Sequence, residues 1–125
     1  LVGSEMCIRD RVSSVSKIDY PKGSFHALLC TDVLEHVDPS EAGMVESEFY
    51  RVLKPKGTLF LNIALAKEIN TKWKKWVKSS KYDLDCLHTL VEPADYWKEL
   101  FNADKYRYLH VACSRHGLTL ILRKK

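Results

Sequence analysis

The chain has 125 residues and a formal charge of +4, enough for one small domain with a modest core. No run approaches the roughly 18 apolar residues of a membrane span, and the mild basic excess does not by itself demand nucleic acid. Four cysteines, at 7, 30, 86 and 113, form no Cys-x-x-Cys pair and meet no clustered histidines, so no metal site and a reducing, cytoplasmic setting are expected.

Leu1 to Arg11, LVGSEMCIRDR, shows neither strand alternation nor a helix stripe. It resembles the conceptual translation of a sequencing adapter, with a disordered natural terminus as the alternative. The domain is therefore expected to occupy residues 12–125. Val12 to Gly23 reads as a short extended piece and a loop, with Asp19 a solvated turn residue.

Phe25 to Cys30 is an apolar run bounded by Gly-Ser and Thr-Asp, the pattern of a strand buried on both faces. Pro39 and Ser40 open a segment in which Val45, Phe49, Val52 and Leu53 fall on one helical stripe. Lys54-Pro55-Lys56-Gly57 stops that helix, because proline cannot continue it and glycine tolerates a left-handed turn. Thr58 to Ile63 reads as a second buried strand. Strand, crossover helix and strand make a right-handed parallel unit, whose ligands sit beyond the strands' carboxyl ends. Those ends are Cys30-Thr31-Asp32 and Asn62-Ile63-Ala64. Glu48 and Arg51, at i and i+3, are expected to pair on the helix surface or hold the Lys-Pro turn.

From Ala66 to Asp85 the composition changes, with Lys67, Lys72, Lys74, Lys75, Lys78 and Lys81 interleaving Trp73, Trp76 and Tyr82. The expected role is a lid with solvated lysines and inward tryptophans; a phosphate-gripping or membrane-surface segment is the alternative. In Leu87 to Ala103, Pro93 suits a first helical position and Tyr96, Trp97, Leu100 and Phe101 form an apolar side. Tyr106 to Cys113 and Leu118 to Arg123, separated by Ser-Arg-His-Gly, read as an antiparallel hairpin. Cys30, ending a strand, and Cys113, in an apolar run, are most simply packing residues.

The wording SFHALLCTDVLEHVDP, then EFYRVLKPKGTLFLNIA, resembles the second half of class I S-adenosylmethionine-dependent methyltransferases of the type 11 kind. His26 and Lys56 depart from that family's usual Asp and Gly. The resemblance implies an α/β fold, a partial Rossmann-like methyltransferase sheet with parallel strands, a C-terminal antiparallel hairpin and flanking helices. It also implies that the chain is a C-terminal part, because its five glycines include no two close enough for a cofactor loop. On its own it is expected to be inactive.

S-adenosylmethionine is the implied cofactor, approached by Cys30 and Thr31; Ser13 and Ser14 stand where an acid often meets its adenine. The acceptor is an oxygen or nitrogen of a small molecule or glycan-like compound. Asp32 and Glu35 would orient it, and His36 would remove its proton. The alternative is that Asp32 and Glu35 shape the turn while His36 bonds a neighbouring loop. His88, in a His-x-Thr...Pro...Trp-like stretch, is a second catalytic candidate beside the reading of a histidine bonded to a loop carbonyl. A competing function, a non-catalytic basic module gripping nucleic acid or an acidic partner through Lys67 to Lys81, predicts binding that falls steeply with salt. Oligomeric state and the acceptor's identity are left open.

Overall fold

The computed structural model describes residues 11–65, 90–115 and 117–125. In chain order these form strand β1 (Phe25–Thr31), 3-10 turns at Leu34–His36 and Pro39–Glu41, and helix α1 (Ala42–Val52). Strand β2 (Leu53–Ala64), helix α2 (Ala94–Leu100) and strands β3 (Tyr106–Cys113) and β4 (Gly117–Lys124) follow. The sheet order is β1-β2-β4-β3. β1 and β2 are parallel, whereas β4 runs antiparallel to both neighbours. The mixed α/β sheet expected from the sequence is therefore present, with the last strand inserted between β2 and β3.

One face of this sheet carries the core. Val45 and Phe49 from α1, and Trp97 and Phe101 from around α2, pack with Leu59, Leu61, Ile63, Leu118, Leu120 and Leu122. Alternation along β2 and β4 sends those leucines and Ile63 inward and their neighbours to the opposite face. That second face is open among the described residues. Leu29 is 73% exposed and Phe60 37% exposed. Burial of β1 on both faces is thus corrected: only Cys30 of its seven residues is buried. A short apolar run reads alike whether one or two layers cover it, so periodicity could not distinguish the cases. Cys113 is also corrected, being exposed at the end of the edge strand β3.

The Lys-Pro turn lies inside the extended run of β2 rather than before it. Phe25 pairs with Leu53 and Ala27 with Thr58, so the residues between bulge away from β1. Lys56, not Gly57, takes the left-handed conformation, at φ 63°. Gly57 is needed for a different reason: a Cβ there would lie 2.8 Å from the Lys54 carbonyl oxygen and 3.2 Å from that of His26. Gly57→Ala should destabilise the domain by about 1–3 kcal/mol in chemical denaturation, the usual cost of forcing atoms into a packed site. Lys56→Gly should be near neutral in the same assay.

Two buried polar anchors fix α1. Lys124 donates from Nζ to the carbonyls of Tyr50 (2.5 Å) and Leu53 (2.8 Å), placing a cation against the helix's carboxyl end. Burial, and secondarily Lys22, lowers the pKa of that ammonium. Glu46, also buried, accepts from the Tyr106 hydroxyl (2.9 Å) and pairs with Lys105 (2.9 Å). Burial and the Glu46 charge push the Tyr106 phenol far above its ordinary range.

Glu48 and Arg51 do pair, at 2.7 Å, but they hold the segment before β1 rather than the Lys-Pro turn. Arg51 donates to the carbonyls of Tyr20 and Ile18, and Glu48 accepts from the Ile18 N–H. Hydrogen bonds from Arg51 bring the Glu48 carboxyl down from 4.5 to about 2, against an opposing effect of burial. A depressed folded-state pKa contributes stability above the ordinary value that is lost as pH falls through the folded value. Melting temperature followed by circular dichroism should therefore drop between pH 4.5 and about 2, and Arg51→Met should flatten that limb.

Candidate functional site

The loop leaving β1 is shaped first by its backbone. Asp32 adopts φ 54°, a conformation that asparagine and aspartate tolerate better than most residues. Its N–H still reaches the Asn62 carbonyl on β2 (3.1 Å), so the turn begins while the chain is anchored to the neighbouring strand. Leu34, Glu35 and His36 then make one 3-10 turn, in which the His36 N–H donates to the Val33 carbonyl (3.0 Å). Asp38 caps the next turn by accepting from the Ser40 N–H (2.9 Å) and hydroxyl (2.6 Å). Those bonds lower the Asp38 carboxyl's pKa. Start-of-helix capping thus belongs to Asp38, and neither Asp32 nor Glu35 performs it.

The five candidates in this loop separate by burial. Cys30 is buried, whereas Thr31, Asp32 and His36 are exposed. Glu35 is only 1% exposed, and its Oε2 has no hydrogen-bond partner among the described residues. Its carbonyl accepts from the Leu90 N–H (3.0 Å), which ties the turn to the segment leading into α2. Burial, reinforced by the nearby Glu35 charge, pushes the Cys30 thiol up to about 12. A thiol so held stays protonated at neutral pH and acts as a packing group, not a nucleophile. The structure therefore brings Cys30, Thr31, Asp32, Glu35 and His36 to one end of the β1–β2 pair, with Asn62 beside them.

His88 and the Lys67 to Lys81 stretch lie outside the described residues. Ser14 is engaged locally, its hydroxyl 2.8 Å from that of Ser16. Asp19 is 79% exposed and meets Arg11 at 3.3 Å, in keeping with a turn residue. Pro93 caps α2 from just outside its first turn, one residue before the expected position. An open hollow of about 850 Å³ lies elsewhere, between residues 11–21 and Glu48 and Arg51 of α1, and none of the loop candidates lines it. Among the described residues no group of three His, Cys, Asp or Glu is placed to hold a metal ion. No helix among them is long and apolar enough to cross a membrane.

The Leu90 link to Glu35 escapes any local sequence signal, because its two ends are far apart in the chain. Asn62 carries no signal in the sequence beyond its place at a strand end.

Residues 3–61 match the methyltransferase-domain family. No curated protein matches the sequence. Among solved structures, a S-adenosylmethionine-dependent methyltransferase from Methanosarcina mazei aligns with a TM-score of 0.66 at 18% identity, covering 91% of this chain and 66% of its own. A protein from Pyrococcus horikoshii gives a TM-score of 0.66 at 15% identity, with 99% of this chain and 63% of its own covered. The 1,6-didemethyltoxoflavin-N1-methyltransferase of Burkholderia thailandensis, solved with S-adenosylhomocysteine, gives 0.62 at 17% identity, covering 90% and 49%. At such identities the likeness is one of fold. The chain spans between 49% and 66% of the length of these structures.

Proposed function

We propose that the whole protein is a class I S-adenosylmethionine-dependent methyltransferase that methylates an oxygen or nitrogen of a small-molecule or glycan-like acceptor, a reading supported by the methyltransferase-domain match over residues 3–61 and by the shared fold. The observation that carries this reading is the gathering of Thr31, Asp32, Glu35 and His36 at the carboxyl end of β1, beside the end of β2. Open α/β sheets bind their ligands at such ends.

The residues present fit one side of the cofactor. Cys30 offers a neutral buried wall and Thr31 an exposed hydroxyl, while the Glu35 oxygen that has no partner among the described residues can take an N–H or face a positive charge. The glycine-rich turn that would meet the methionine portion has no counterpart in these 125 residues. We therefore expect the chain alone to be inactive. When bound, S-adenosylmethionine supplies an electrophilic methyl group on its sulfonium. Asp32 then orients the acceptor from the rim, and His36, exposed on the same turn, takes the proton that the acceptor O–H or N–H loses. His88 is kept in this proposal as a second candidate proton acceptor, from the sequence resemblance alone.

The test is transfer of labelled methyl from S-adenosylmethionine by the whole protein to a panel of small hydroxyl and amine acceptors. Label should reach one acceptor class, with S-adenosylhomocysteine formed in equal amount. Failure to bind S-adenosylhomocysteine at all would overturn the reading.

A further inference from the structure

Two non-glycine residues among the described ones take a left-handed backbone, Asp32 at φ 54° and Lys56 at φ 63°. For an L-residue this crowds the Cβ against a carbonyl oxygen, so it persists only where the surroundings impose it. Lys56 lies in the bulge of β2, at the end of the parallel pair remote from the candidate site. Asp32 follows the last paired residues of the same pair, Thr31 and Asn62, at the candidate site itself.

The reversal at Asp32 is bounded on both sides. Before it, the Asp32 N–H still donates to the Asn62 carbonyl (3.1 Å), so the chain is held to β2 up to the residue that turns. After it, the 3-10 turn begins at Leu34, with Leu34 2% and Glu35 1% exposed while His36 stays at the surface. The Glu35 carbonyl then accepts from the Leu90 N–H (3.0 Å), a second anchor independent of β2. An extended residue at position 32 would carry the chain onward in the direction of β1, and one anchor or the other would be lost. None of this depends on an uncovered edge or face of the sheet.

We propose that Asp32 is a positioning residue of the candidate site: its left-handed backbone, independently of its carboxylate, sets the Leu34–His36 turn with Glu35 inward and His36 at the rim. Aspartate suits both tasks. It tolerates the left-handed conformation better than most residues, it loses less chain freedom on folding than glycine would, and its carboxylate stays at the rim for the acceptor. The kinetic consequence rests on the reading of His36 as proton acceptor, whereas the geometry does not.

Four substitutions in the whole protein test this: Asp32→Asn, Asp32→Gly, Asp32→Ala and Asp32→Val. All four remove the charge, but glycine and asparagine turn left-handed readily, alanine less so and β-branched valine least. Amide hydrogen exchange at Leu90, followed by NMR, should be roughly tenfold faster in Asp32→Val, intermediate in Asp32→Ala, and close to that of the unsubstituted protein in the other two. Because Asp32 is exposed, the far-ultraviolet circular dichroism should not change in any of them. With the acceptor that takes label in the panel above, kcat should fall in the same order, by about 10²-fold for Asp32→Val. KM should instead rise alike in all four, since each lacks the carboxylate. A merely structural role would not split kcat from KM in this way. Equal Leu90 exchange and equal kcat across the series, or Asp32→Asn as impaired as Asp32→Val, would overturn the proposal. Should Asp32→Val fail to fold, Asp32→Ala against Asp32→Asn decides the same question. A whole protein that does not bind S-adenosylhomocysteine sinks methyl transfer, and the order of exchange rates still decides the role of Asp32.

Discussion

Trp97→Ala is expected to lower the stability of the domain by about 3–5 kcal/mol, seen as a large fall in the urea midpoint. Trp97 is fully buried in α2, and its ring meets that of Tyr96 edge-on at 5.1 Å. Alanine would remove most of the side chain by which α2 enters the core, and a domain of this size has only about 5–15 kcal/mol to lose. Trp97→Phe should cost far less. The indole N–H is buried without a partner among the described residues, so the smaller ring sheds an unsatisfied donor while keeping much of the packing. The consequence reaches the candidate site. Leu90, just ahead of α2, donates to the Glu35 carbonyl, so loosening α2 should also expose the Glu35 turn to faster hydrogen exchange.

What the sequence disclosed follows from which interactions are local. The stripe of Val45, Phe49 and Val52 is written in a single helix, and each is buried as expected. The hairpin strands were also legible, because alternation and a short polar turn lie next to each other in the chain. The openness of the second sheet face was not legible. Whether Leu29 is covered depends on another layer, and its own neighbours in sequence say nothing of that. The Lys54–Gly57 turn was half legible: proline and glycine marked a break, but which residue takes positive φ depends on the His26 carbonyl lying close to Gly57. At the candidate site, Leu-Glu-His marked the turn after β1, but not that Glu35 turns inward beside Cys30 while His36 stays at the surface. The turn is also tied by the Leu90 N–H to the Glu35 carbonyl, a contact no local pattern encodes.

His36→Ala in the whole protein should lower kcat by roughly 10²–10⁴-fold, the usual contribution of a positioned general base. The argument rests on exposure and placement. Among the described residues of the Leu34–His36 turn, His36 is the exposed one, whereas Leu34 and Glu35 face the core. A proton acceptor must reach the acceptor's O–H or N–H, and a residue buried as Glu35 is would meet it only after the turn opened. Loss of a base differs from loss of shape in a way that can be measured. Removing the base should lower kcat with little change in the affinity for S-adenosylhomocysteine. A structural role would instead weaken that affinity. Glu35→Gln gives the complementary result. It removes the charge that helps raise the Cys30 pKa, so the thiol should titrate lower and react faster with a small alkylating agent. The two substitutions therefore separate a surface proton acceptor from the buried carboxylate beside it on the same turn.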